Sequence, residues 1–132
     1  MSEENVERFW RGTTAYNDGD WDAALATMDP NVEFDLSRVM PEMEMYRGYE
    51  GVKAFWRMLR DVWGDFRTDP EEVIDAGDKL FNRNRLYGTG ITSGVATEDV
   101  LYQVVTLRDG RAMRVEFFRD RSEALDAAGL SE

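Results

Sequence analysis

The chain contains no cysteine and no histidine. Without cysteine there is no disulfide framework, no thiol nucleophile and no thiolate metal site. Without histidine the commonest general base is gone, and with it the Ser-His-Asp and Cys-His arrangements and imidazole metal ligands. Acid–base chemistry is left to Asp, Glu, Tyr, Lys or a positioned water. Bases are scarce too: 16 Lys and Arg stand against 27 Asp and Glu, a net charge of −11. That balance lacks the basic footprint of nucleic-acid binding and reads as solubility. No apolar run approaches membrane-spanning length, and "MSEENVERFW" has neither the basic nor the apolar region of a signal peptide. A cytoplasmic location is expected, with neither membrane nor nucleic acid as a partner.

What is present is a globular composition. Apolar residues make up 42% of 132 positions, enough to bury a core, and the length is that of one domain covering residues 1–132. Ser2, Glu3 and Glu4 open a helix whose apolar positions are Val6, Phe9, Trp10 and Thr13, and "NDGD" at 17–20 closes it. Asp20 caps a second helix with Trp21, Ala24, Leu25 and Met28 on one face, stopped by Asp29-Pro30. A short strand from Val32 to Leu36 follows, then a loop carrying Met40, Met43 and Met45. Val52, Phe55, Trp56, Leu59, Val62 and Trp63 share the face of a third helix, and Gly64 sits where a C-terminal glycine belongs.

After Gly64 the period changes from 3.6 to 2. Residues 66–76, 79–90, 95–108 and 111–119 read as strands joined at "AGD", "TSG" and "RDG", and Asp120 with Glu123 opens a last short helix. Helices followed by a run of strands imply α+β, with helices on one face of a mostly antiparallel sheet. The strand around 100–107 is apolar on both sides: Leu101, Val105 and Leu107 face one way, Val100, Tyr102 and Val104 the other. One side belongs under the helices. The other predicts a second subunit, a homodimer with Phe118 also near the contact.

Two positions stand out chemically. Asp35 lies beside soft, adaptable methionines, a setting that tunes a proton-transfer group. Strict alternation, however, puts it opposite Phe34 and Leu36, as an exposed strand acid, with Glu33 its rival on the same side. A pocket-facing Asp35 would have its pKa raised by desolvation. Gln103 shares the apolar stripe of Leu101, Val105 and Leu107, so its amide needs a partner, on a neighbouring strand or in a ligand. Asn82 and Asn84 alternate with Arg83 and Arg85. One pair faces inward, and the pattern leaves open which.

The segments "YNDGDWDAALATMDPNVEF", "YRGYEGVKAFW" and "LRDGRAMRVEFFRDRSEALDAAGL" resemble the SnoaL-like branch of the nuclear-transport-factor-2-like (NTF2-like) superfamily, over residues 5 to 130. The resemblance implies a cone-shaped, strongly curved sheet, the cystatin-like roll, with N-terminal helices enclosing an apolar pocket. That fold hosts ketosteroid isomerases, polyketide cyclases, dehydratases, epoxide hydrolases and binders without chemistry, so it does not decide function. Asp35 matches the isomerase base and Gln103 the acid of its oxyanion hole. The isomerase tyrosine falls at Gly12, with Tyr16 one turn later as the substitute donor.

The resemblance thus implies a cofactor-free enzyme, with Asp35 as base and Gln103 and Tyr16 as donors, acting on a small apolar carbonyl compound. Trp10, Met40, Met45, Phe55, Trp56, Leu59, Trp63, Asn84, Leu101, Val115 and Phe117 are its expected wall, with Met43 in the same lid. A binding protein with the same pocket, and a module that engages partners through the outer sheet face, are the alternatives.

Overall fold

The structure is a computed structural model that describes residues 2–40, 45–88 and 97–130. Met43 and the "TSG" turn lie outside them. Helix α1 (Ser2–Asn17) and a short α2 (Trp21–Leu25) lead into strand β1 (Met28–Asp35). Strand β2 (Met45–Arg47), helix α3 (Gly48–Trp63), strands β3 (Arg67–Asp75), β4 (Lys79–Gly88), β5 (Thr97–Arg108) and β6 (Arg111–Phe118), and helix α4 (Arg121–Ala127) follow. The sheet runs β2-β1-β6-β5-β4-β3, with β1 parallel to β6 and every other pair antiparallel. Among the described residues, four helices and a six-stranded open sheet make a mixed α+β fold.

Local chemistry accounts for most boundaries. Asp20 caps α2 by accepting from the Ala23 amide at 3.1 Å, and Asp120 caps α4 through the Ser122 and Glu123 amides. Gly64 ends α3 at φ 79°, its amide donating to the Arg60 carbonyl. Asp109 and Gly110 both have positive φ and form the two-residue turn between β5 and β6. Arg8 of α1 donates to the Gly110 carbonyl, which ties the first helix to this turn.

Three expectations need correction. Helix α2 ends at Leu25, not Met28. Thr27 Oγ1 donates to the Ala24 carbonyl at 2.7 Å, and Met28 already pairs with Ala112 of β6, so the ladder takes residues that helical spacing claimed. Pro30 therefore interrupts a strand instead of stopping a helix, and the register shifts between Met28 and Glu33, where a residue without an amide proton is tolerated. Val62, assigned to the buried face of α3, is 60% exposed. Finally, the helices do not share one side of the sheet.

Helices α1–α3 cover the inner face, where Phe34, Leu36, Leu101, Val105, Val115 and Phe117 are buried with Phe55, Trp56 and Leu59. Helix α4 lies on the outer face, with Ala124, Leu125 and Ala128 packed on Phe81, Val104 and Phe118. This resolves the strand that is apolar on both sides. Val104 and Phe118 are fully buried by the chain's own last helix, and Tyr102 stacks on Phe81 with ring centroids 6.0 Å apart. The apolar strip that predicted a second subunit is covered at Val104 and Phe118, while Val100 and Tyr102 stay half-buried. Among the described residues no helix is long and apolar enough to cross a membrane.

Candidate functional site

Between the inner face of the sheet and helices α1 and α3 lies a cavity of about 190 Å³. Phe9, Gly12, Thr13 and Tyr16 of α1 line it at one-turn spacing. Opposite them stand Phe55, Trp56, Leu59 and Trp63 of α3. The floor alternates along the strands as period 2 requires: Phe34 and Leu36, Leu101, Gln103 and Val105, Val115 and Phe117. Met40 also contributes. The walls are largely aromatic and interlocked. Tyr16 packs on Trp56 at 4.9 Å and on Phe66 at 6.2 Å, and Phe34 packs on Phe55 and Phe117.

A polar strip crosses this apolar surface. Asn17 exchanges two bonds with the Thr68 backbone, and Thr68 Oγ1 bonds to Asn84 Oδ1. Asn84 Nδ2 reaches Gln103 Oε1 at 3.5 Å. With its carbonyl so engaged, Gln103 has its amide hydrogens left to offer. Among the described residues the Tyr16 hydroxyl has no hydrogen-bond partner. Burial pushes the Tyr16 phenol well above its ordinary value, and the nearby Arg60 charge offsets only part of that. Tyr16 therefore stays protonated and able to donate. Charge enters the lining at Asp99 and Arg119, paired at 3.2 Å, with Asp99 Oδ1 also accepting from the Val100 amide.

Asp35 does not line this cavity. Its neighbours Phe34 and Leu36 do, and by alternation its carboxylate falls on the outer face, across from Glu116 and Met45. Arg114 grips Asp35 Oδ2 at 2.9 Å and Glu33 at 3.1 Å, while Ser37 donates to Asp35 Oδ1 from its amide and its hydroxyl. Burial pushes this carboxyl up, but the Ser37 bonds and the Arg114 and Arg38 charges together outweigh it and hold it below the ordinary value. The expected upward shift is thus reversed. Met45 shares the Asp35 side of the sheet and is likewise absent from the cavity wall, because strand β2 pairs it directly with Asp35. Trp10 is 40% exposed on the far side of α1, and its neighbour Phe9 takes the inward position.

The other expected wall residues all line the cavity: Met40, Phe55, Trp56, Leu59, Trp63, Asn84, Leu101, Val115 and Phe117, with Tyr16 and Gln103. Asn84 and Asn82 face inward, and Arg83 and Arg85 bind Glu71 outside. Sequence reasoning missed Thr68 and Asp99. Asp99 was within reach, because it lies in phase with Leu101 and Gln103 on β5. Thr68 gave no signal, since a bulge between Pro70 and Glu72 breaks the alternation of β3. Gly12 is explained by packing: a Cβ there would meet Thr27 Oγ1 at 2.8 Å. A side chain at this position requires Thr27 to shift.

An open six-stranded sheet with helices over an apolar cavity is the NTF2-like architecture, and comparisons with known proteins agree. The SnoaL-like domain model matches residues 6–115, and the chain belongs to that family. Among solved structures, TerC co-crystallized with polyporic acid superposes with a TM-score of 0.79 at 24% identity, over 96% of this chain and 98% of that one. A protein of Jannaschia sp. CCS1, described as a SnoaL-like polyketide cyclase, gives 0.74 at 23% identity, over 89% and 86%. A hypothetical protein of Catenulispora acidiphila with a ketosteroid isomerase-like fold, in complex with trimethylamine, gives 0.74 at 11% identity, over 94% and 93%. At these identities the likeness establishes the fold. No curated protein matches the chain.

Proposed function

We propose that the chain binds a small, mainly apolar, uncharged molecule bearing an acceptor oxygen, with Tyr16 and Gln103 donating to that oxygen. The observation that carries this reading is an aromatic cavity whose spare hydrogen-bonding capacity is neutral and donor-type, a protonated phenol and a half-engaged amide. The lining cation Arg119 is already paired with Asp99, so an anionic ligand would have to compete with that carboxylate. An aromatic ketone or quinone has the required shape and polarity.

The test is thermal shift and calorimetry with two uncharged probes, 1-tetralone and 1,4-naphthoquinone. Each should stabilise the chain, and Tyr16→Phe and Gln103→Leu should each weaken binding by about tenfold, the loss of one hydrogen bond in a dry site. The absence of any shift at saturating concentration with either probe rejects the binding site and favours a partner-binding module.

A second reading is a cofactor-free enzyme of isomerase, cyclase or dehydratase type. It is favoured by Asp99, a carboxylate in the cavity wall and in phase with Gln103. Asp35 is not the base in this reading, since its oxygens are engaged by Arg114 and Ser37 on the other face. In this reading Asp99→Asn keeps binding and removes turnover of an activated ketone, while Asp35→Asn leaves turnover per folded molecule unchanged. Self-association through the outer sheet face would use Val100 and Tyr102, the half-buried part of the apolar stripe on β5, and light scattering across the micromolar range measures it.

A further inference from the structure

The polar strip of the cavity continues behind its wall. Asn82 lies two residues before Asn84 on β4, faces the same way and is fully buried. Neither its Nδ2 nor its Oδ1 has a hydrogen-bond partner, and among the described residues the other buried side-chain atom in that position is Asp75 Oδ2. The strand register makes their two residues neighbours. Val73 pairs with Asn82 and Asp75 with Leu80, so Asn82 and Asp75 are diagonal neighbours across β3 and β4. They share the inner side, since the alternate positions Ile74 and Phe81 belong to the cluster under α4. On the other flank of β4, Asn82 stands opposite Gln103, yet no direct bond joins the two amides.

An amide buried with both halves unpaired is costly to fold, and a leucine of similar size would avoid the cost. Buried waters occur where such groups converge, typically with about three hydrogen bonds. Here the partners exist in the right chemical senses. Asn82 Nδ2 and Gln103 Nε2 are donors to a water oxygen, and Asp75 Oδ2 is an acceptor for one of its protons.

We propose that Asn82, Asp75 and Gln103 hold an internal water, and that through it Asn82 is a positioning residue that aims the remaining Gln103 amide hydrogen at the ligand's acceptor oxygen. The water site stands on the buried atoms alone; the aiming rests on the ligand-binding reading above.

Two experiments test the two halves separately. A crystal structure of the intact chain at a resolution that reveals ordered water should place one within hydrogen-bond distance of Asn82 and of Asp75 or Gln103; a dry Asn82 amide overturns the proposal. Calorimetry with 1-tetralone and its deoxy counterpart tetralin, on the wild type and Asn82→Leu, tests the aiming. The leucine variant should be at least as heat-stable, lose about tenfold in tetralone affinity and bind tetralin unchanged. Asn82→Ser, which keeps a group able to bind the water, should keep most of the preference for the ketone, and it serves also if the leucine variant fails to fold. Equal affinity changes for both probes, or none, overturn the positioning role. If the wild type binds neither probe, the ligand-binding reading and the aiming that rests on it both fail, and the crystal structure still decides the water.

Discussion

Asp35 illustrates how far one side chain's role depends on which way it points. Its carboxylate is held by Arg114 and Ser37 on the outer face, with a pKa below the ordinary value. A group whose folded pKa is depressed contributes stability above its unfolded value, about 3.9, and loses it as pH falls through the folded value. Asp35→Asn should therefore destabilise the chain near pH 7, by about 1–3 kcal/mol, because Arg114 and Ser37 lose a charged acceptor. The difference from wild type should vanish at low pH. Urea melts of both proteins at pH 7 and pH 3 check this, and equal stability at pH 7 would make Asp35 an ordinary surface acid. Gly12 makes a related point. Its missing side chain is set by contact with Thr27, so Gly12→Leu should destabilise by about 1–3 kcal/mol through overpacking.

At the scale of elements, α4 is the piece with the largest consequence for its size. Seven residues long, it covers Phe81, Val104 and Phe118, which would otherwise form an apolar strip. Leu125 is its anchor at 3% exposure, and Leu125→Ala should cost about 2–4 kcal/mol. Hydrogen exchange in this variant should rise first in α4 and at the Val104 end of β5, and light scattering should report more association than for the wild type. Unchanged exchange there would mean that α4 contributes little. The twin roles of β5, cavity floor on one side and α4 seat on the other, explain its alternation of two apolar stripes.

For the whole molecule, the absence of histidine and cysteine has a measurable consequence. No side chain of ordinary pKa titrates between about pH 5.5 and 8, so stability should be flat across that range. Below it stability should fall, because Asp35, Glu71 and Glu72 all have lowered pKa values, from the Ser37 bonds in the first case and from bonds to Arg85 and Arg121 in the others. A melting temperature that moves by more than a few degrees between pH 6 and pH 8 would point to a strongly shifted group.

Much of this protein was legible from residue order. Periods of 3.6 and 2 located α1, α3 and the four long strands, and Asp20, Gly64, Asp109-Gly110 and Asp120 marked ends and turns, because caps and tight turns are local chemistry. Alternation likewise put Gln103 among Leu101 and Val105, and the pattern of the three quoted segments pointed to the SnoaL-like fold. Tertiary structure alone decided the rest. Which of two faces is the inside cannot be read from a strand whose two stripes are both apolar or both polar, so the positions of Asn84 against Arg85, and of α4, waited on the packing, whereas alternation alone already put Asp35 outside and only the family resemblance argued for the pocket. The conversion of Met28 from helix to strand depended on β6, about 84 residues downstream, whose ladder outbids a local preference. Convergence of Tyr16, Thr68, Asn84 and Gln103 on one cavity is likewise a property of chain segments distant in sequence, and no local pattern encodes it.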